Sequence, residues 1–106
     1  MEGIELISFE IISNVGNARS LFIEAIQKAK LGLFEEAEKI MYDGEKSFLE
    51  GHHAHASLVQ QEANGDELKV TLLLVHAEDQ LMSAESFKIL SREFIELYKK
   101  INNYLK

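Results

Sequence analysis

The feature that most constrains this chain is an apolar pattern of helical period that continues through most of its 106 residues without one proline. Apolar side chains recur every three or four positions, the spacing that places them on one face of an α-helix. Because proline breaks helices, its absence permits long uninterrupted ones. The pattern predicts an all-α chain, and the length predicts a single domain, residues 1–106, with one hydrophobic core.

Breaks in this pattern divide the chain into three predicted helices, at about residues 4–30, 34–63 and 67–104. Gly32 follows a basic last turn, and glycine accepts the positive φ with which many helices end. Asn64 and Gly65 mark the second break, after which Asp66 is the expected cap of helix three. The expected inward stripe of helix one is Leu6, Phe9, Ile12, Val15, Leu21, Phe22, Ala25, Ile26 and Ala29.

Two details of the pattern allow a second interpretation. The run KVTLLLV at residues 69–75 could form a buried strand, but it has no second β-rich run to pair with, so we predict helix. Gly16, Gly44 and Gly51 fall inside predicted helices, where they indicate breaks or close contacts between helices.

The composition excludes several classes of function. A net charge of −7 argues against nucleic acid and anionic membranes as partners, since both require a positive surface. The chain has no cysteine, which excludes disulfides and thiol chemistry and is consistent with a cytoplasmic location. Neither a secretory signal nor a membrane-spanning run is expected, so the prediction is a soluble protein.

Within the segment LLLVHAEDQLM, residues 72–82, the run from Leu72 to Val75 is apolar on every side of a helix. Helical spacing places Leu72, Val75, Asp79 and Met82 on one stripe, and a second copy of the chain is the simplest cover for it. A carboxylate in such a seam needs a cation, a proton or a metal. If copies of Asp79 meet on a symmetry axis, Mg²⁺ would offset their repulsion; otherwise Asp79 reaches solvent at a groove.

His76 lies one turn before Asp79 on an adjoining part of the same side. Taken alone, one histidine on an apolar helix is more often a hydrogen-bonded core residue than a catalyst, and the spacing does not decide between the two.

Four blocks resemble the lactose/cellobiose-type IIA component of the bacterial phosphoenolpyruvate-dependent sugar phosphotransferase system. They are GNARS (16–20), LGLFEEAE (31–38), LVQQEANG (58–65) and LLLVHAEDQLM (72–82), within a resemblance that extends from Ile11 to Ile101. The resemblance implies an antiparallel three-helix bundle assembled as a homotrimer. It also implies that His76 takes a phosphoryl group from phospho-HPr and passes it to a cysteine of the IIB component, and that Asp79 binds a metal on the threefold axis.

The segment departs from the family pattern His-Ala-Gln-Asp-His-Leu-Met at two positions, where Glu78 and Gln80 stand for the glutamine and the second histidine. Neutral imidazole is a good nucleophile near pH 7, and phosphoryl transfer depends mainly on in-line positioning and charge stabilisation. If Glu78 faces the phosphoryl group, its charge would repel the group; if Glu78 faces solvent, the change is neutral.

His52, His53 and His55 form a second group of histidines, with His52 and His55 on one helix face. No cysteine or nearby carboxylate completes a ligand set, so we interpret them as a polar face of helix two. Two other functions stay open, a histidine phosphorelay domain served by an aspartyl receiver and a non-catalytic trimeric scaffold. Among sugars, cellobiose, lactose, chitobiose and aryl-β-glucosides all fit.

Overall fold

The computed structural model describes residues 3–105 and contains three α-helices in that range. They are α1 (Gly3–Lys30), α2 (Phe34–Ala63) and α3 (Leu72–Leu105). Late residues of α1 pair with early residues of α2, as Lys28 Nζ does with Glu36 Oε2 at 3.8 Å, so these helices are antiparallel. The prediction of an all-α fold with three helices is confirmed, and the bundle measures 58 × 22 × 19 Å.

The core lies along α1, which packs against both other helices. Its buried residues follow a regular three-four spacing: Ser8, Ile11, Val15, Ala18, Phe22, Ala25 and Ala29. Small residues on the facing helices, such as Ala37 and Ala84, allow close packing. The expected inward stripe was wrong at Leu6 and Phe9, which are exposed, because the buried face is centred on Ile11 and Val15.

The third helix begins at Leu72, later than the predicted start near residue 67. Leu68 is half buried against the core, so the chain crosses the end of the bundle before it turns into α3. The N-cap is Thr71, whose Oγ1 accepts a hydrogen bond of 3.1 Å from the Leu74 N–H, and the cap predicted at Asp66 was therefore wrong. In the run 69–75, residues 72–75 are helical as predicted, residues 69–71 are not, and none of the seven forms a strand. Gly32 has φ +81°, the left-handed exit predicted for α1.

Two of the three internal glycines lie where α2 approaches α1 closely. A Cβ built on Gly44 would lie 2.7 Å from the Phe22 ring, and one built on Gly51 would lie 2.5 Å from Val15 Cγ1. Gly16 differs, because a Cβ there would meet nothing within 4 Å. Gly44 and Gly51 therefore mark the close helix contacts that the sequence indicated, whereas Gly16 borders open space.

Replacement of Gly51 by alanine should lower the free energy of unfolding by about 1–3 kcal/mol, because the new methyl overlaps the stiff, branched Val15 side chain. The matched change Gly16→Ala should raise it by about 0.5–1 kcal/mol, since alanine restricts the unfolded backbone and meets no neighbour. Urea unfolding followed by circular dichroism measures both. A Gly51→Ala variant as stable as the parent would contradict the close approach of α1 and α2.

An ion-pair cluster joins the first turns of α2 to the C-terminal half of α3. Glu38 accepts hydrogen bonds from Arg92 Nη1 at 2.7 and 2.8 Å and from Lys99 Nζ at 2.8 Å. The hydrogen bond from Lys99 lowers the pKa of the Glu38 carboxyl; partial burial opposes this, and Arg92 lowers the pKa further. The folded state therefore favours ionised Glu38.

Replacement of Glu38 by glutamine should lower the melting temperature at pH 7. The melting temperature of the variant should then fall less than that of the parent as the pH is lowered. The pKa of Glu38 is lower in the folded state than in the unfolded state. Its carboxylate therefore contributes fully to stability above the unfolded pKa near 4.5, and this contribution is lost as the pH falls through the lower folded pKa. Thermal melts from pH 7 to pH 3 test this. The matched control is Glu50→Gln, which removes an exposed carboxylate of α2, and equal pH profiles for the two variants would contradict the role of the cluster.

Candidate functional site

The first turns of α3 carry an apolar seam that a single chain leaves open to solvent. Leu72 is 85% exposed and Met82 is 67% exposed, and Val75 lies between them. The opposite face of the helix, centred on Ala77 and Leu81, packs into the core. At the same helical spacing the seam continues toward the C-terminus through Leu90, Phe94, Leu97 and Ile101, all of them exposed.

Asp79 lies in the middle of this seam, as its spacing predicted. It is exposed and forms no ion pair with any side chain in residues 3–105. Carboxylate oxygen suits a hard cation such as Mg²⁺. Within the described part of the chain, however, no three His, Cys, Asp or Glu residues are grouped closely enough to hold a metal. The described part of one chain therefore does not complete a metal site around Asp79, and a shared site would need ligands from other copies.

His76 is exposed on α3, on the flank that faces away from α2. Its direction follows from Glu78, whose Oε1 accepts a hydrogen bond of 2.6 Å from His55 Nε2 on α2. Residues two apart on a helix are about 200° apart around its axis, so the side facing α2 is not the side of His76. The sequence left two alternatives for Glu78, that it faces the group carried on His76 or that it faces solvent. Within one chain its carboxylate does neither, because it pairs with His55 of the neighbouring helix.

A polar row continues from His76 along this flank. Gln80 follows one turn later and Ser83 one further turn on, at the spacing that aligns side chains on a helix. Ser83 Oγ accepts a hydrogen bond of 3.2 Å from Arg19 Nη1, a part-buried contact that links α3 to α1. Sequence reasoning did not connect Arg19 with His76. No local signal could have connected Arg19 with Ser83, because the two residues lie 64 positions apart on different helices.

The histidines of α2 do not assemble into a metal site among the described residues. His52 stacks on Phe48 with ring centroids 6.3 Å apart, and His55 is bound to Glu78. His53 is exposed. These positions agree with their interpretation as a polar face of helix two.

The imidazole of His76 is exposed on a helix whose opposite face packs into the core, and imidazole is a group that can act as a nucleophile. An exposed flank is suited to a reaction in which a partner protein brings the reactive group, because the partner then supplies part of the positioning and the exclusion of water. None of the helices in residues 3–105 is both long enough and apolar enough to cross a membrane.

The chain is similar to known proteins over nearly its whole length. The chain matches the model of the lactose/cellobiose-specific IIA subunit of the PTS system over residues 6–99. It is 46% identical over 100 residues to the lichenan-specific phosphotransferase enzyme IIA component of Bacillus subtilis, a match that covers 94% of this chain and 91% of the relative.

Two solved structures share the fold. The cellobiose-specific enzyme IIA of Bacillus anthracis has a TM-score of 0.94 and 44% identity, with 97% of this chain and 94% of that chain covered. The IIA(Chitobiose) of Escherichia coli, solved in solution as a complex with HPr, has a TM-score of 0.82 and 34% identity, with 96% and 99% covered. The chain belongs to the family of lactose/cellobiose-specific IIA subunits of the sugar phosphotransferase system.

Proposed function

We propose that His76 is the residue on which this IIA component carries its phosphoryl group, from phospho-HPr to a cysteine of the IIB component. The observation that carries the proposal is the exposure of His76 on a flank of α3 that a partner protein can reach. The protein serves as a phosphotransferase component and turns over no sugar without its partners. We further propose a cytoplasmic location.

The chemistry requires one bond to form as another breaks. The lone pair of an imidazole nitrogen attacks phosphorus in line with the donor's bond, which breaks as the new N–P bond forms. The phosphohistidine then gives the phosphoryl group to the thiolate of the acceptor, and His76 returns to its neutral form. Neutral histidine is abundant near pH 7, so the nucleophile needs no general base.

HPr is the proposed donor because a structural relative of this chain forms a complex with it. The IIA(Chitobiose) of Escherichia coli was solved together with HPr, and its match with this protein covers nearly the whole length of the two IIA chains. The proposed sugars are β-linked ones, as the relatives named for lichenan, cellobiose and chitobiose suggest.

We also propose that three copies of the chain meet along the α3 seam, with the three Asp79 carboxylates around a shared Mg²⁺. The open apolar stripe through Leu72, Val75 and Met82 supports the assembly, because contact with copies would remove it from water. The cation would neutralise carboxylates that otherwise repel one another. No step of phosphoryl transfer depends on it.

Incubation of the parent chain with phosphoenolpyruvate, enzyme I and HPr tests the function. We expect one acid-labile, base-stable phosphoryl group per chain, and its transfer to IIB. Labelling by an aspartyl receiver in place of HPr would favour a signalling phosphorelay domain, and labelling by neither would favour a scaffold.

A further inference from the structure

The pair of His55 and Glu78 lies on one side of the α3 seam, and His76 lies on the other. Measured around the helix from Asp79, Glu78 turns about 100° to one side and His76 turns about 60° to the opposite side. Glu78 faces α2, where its Oε1 accepts a hydrogen bond of 2.6 Å from His55 Nε2. Within one chain, the pair and His76 are therefore on opposite flanks of the same helix.

A threefold assembly along the seam brings these two flanks together. In a ring of three copies, each α3 has one neighbour on either side of the stripe that faces the axis, so the His76 flank of one copy faces the Glu78 flank of the next. Rotation about the axis keeps each residue at the same height in every copy. The two residues then differ in height by about 3 Å, between helices that pack about 8–10 Å apart.

The Glu78 flank of a single chain is open, as a contact surface between copies requires. The Glu78 side chain is 45% exposed although it binds His55, which is 21% exposed. An apolar groove beside Glu78 is lined by the exposed side chains of Val59, Val70 and Val75. Because Val75 also belongs to the seam, the seam and this flank form one continuous apolar surface.

The charge of Glu78 becomes important at this place. A carboxylate repels a negatively charged phosphoryl group, and the chain already carries a net charge of −7. Among residues 3–105, the side chain that binds Glu78 is His55. The imidazole N–H holds the carboxylate toward α2 and offsets part of its charge. Loss of this donor would leave an unpaired carboxylate on the flank.

We propose that the His55–Glu78 pair of one copy forms a wall of the phosphoryl site at His76 of the next copy, where His55 keeps the Glu78 carboxylate from repelling the phosphoryl group. His55 acts through Glu78 and is thus a positioning residue. This inference rests on the proposed function and on the proposed trimer. Each of the three sites is then complete only in the assembly, because the histidine and the pair come from different copies.

A cycle of single and double variants tests the role of His55. His55→Ala should accept the phosphoryl group from phospho-HPr more slowly than the parent, by about threefold or more, and added salt should reduce this defect by screening. Glu78→Gln should stay close to the parent. The double variant, with both changes, should return nearly to the parent rate, because no carboxylate is left to offset. The matched control is His53→Ala, which removes an exposed histidine of α2 and should match the parent.

Mixed assemblies show whether the pair acts between copies. A His76→Ala chain accepts no phosphoryl group in the proposed function, but it keeps the pair of His55 and Glu78. Assembly of His55→Ala chains with an excess of His76→Ala chains places each remaining His76 beside an intact pair, so the His55→Ala chains should be labelled at the parent rate. An excess of chains that carry both alanines supplies no intact pair and should leave labelling slow. Intact mass after quenching in base distinguishes the chains.

A His55→Ala variant labelled at the parent rate would overturn the inference. So would a double variant as slow as His55→Ala, because the histidine would then have only a structural role. Slow labelling of His55→Ala chains among excess His76→Ala chains would show that the pair does not act between copies, and it would overturn the inference as well. In each of these cases a parent chain that is labelled on His76 leaves the proposed function standing. If the parent accepts no phosphoryl group, the proposed function fails.

Discussion

Replacement of His76 by alanine is expected to reduce phosphorylation by phospho-HPr from one group per chain to none. The reaction needs a nucleophile that is neutral and unprotonated near pH 7, and alanine supplies none. His76 is exposed, so its removal should leave the melting temperature close to that of the parent. Phosphorylated protein is measured by intact mass after rapid quenching in base, which preserves phosphohistidine.

Two control variants make this result specific. His53→Ala removes another exposed histidine, and it should be labelled like the parent. Glu78→Gln restores the amide found in the family pattern, yet it should change the rate little, because the carboxylate faces His55 on α2. Full labelling of the His76→Ala variant would move the phosphoryl site to another residue.

Replacement of Asp79 by lysine is expected to convert a trimer into monomers. In the proposed assembly, three lysines would replace three carboxylates around one axis, and like charges at short distance with no counter-ion strongly disfavour association. The exposure of Leu72 and Met82 in a single chain means that the dissociated form would present its apolar seam to water. Sedimentation velocity over a range of protein concentrations measures the change.

Asp79→Leu is the companion variant. It separates the effect of the carboxylate charge on assembly from the effect of the apolar seam. It adds apolar volume at the axis, so it should remain trimeric, with a melting temperature that no longer responds to Mg²⁺ or to chelator. The parent should melt at a higher temperature with Mg²⁺, which binds the assembled state. A lysine variant that stays trimeric with unchanged stability would show that Asp79 does not lie on the axis. That result would rule out both the proposed metal site and the proposed α3 interface.

The contact between His55 and Glu78 gives a structural reason for one departure from the family pattern. Glu78 differs from that pattern, and the structure brings its carboxylate to 2.6 Å from His55 Nε2 on the neighbouring helix. The acidic side chain thus has a partner on α2, on the side of α3 away from the His76 imidazole. Together with Glu38, Arg92 and Lys99 at the other end, this pair links α2 to α3.

The sequence by itself determined the helices, most of their ends and the stripe on which Asp79 lies. Periodicity and turn residues act locally, so Gly32 ends α1 where expected and the seam through Val75 and Met82 faces outward. The proposed roles of His76 and Asp79 rest on a resemblance of short motifs, which depends only on order and spacing along the chain.

The tertiary structure decided the features that depend on contacts between distant residues. Helix α3 begins at Leu72 and not near residue 67, because Leu68 packs against the core. No local sequence signal predicts that contact. The choice of buried face in α1 depended on the helices that pack against it, and the direction of Glu78 depended on a histidine 23 positions away. Arg19 and Ser83 are 64 residues apart. Spacing within one helix fixes a side chain's direction around that helix, but only the packing of two helices determines which side chains meet.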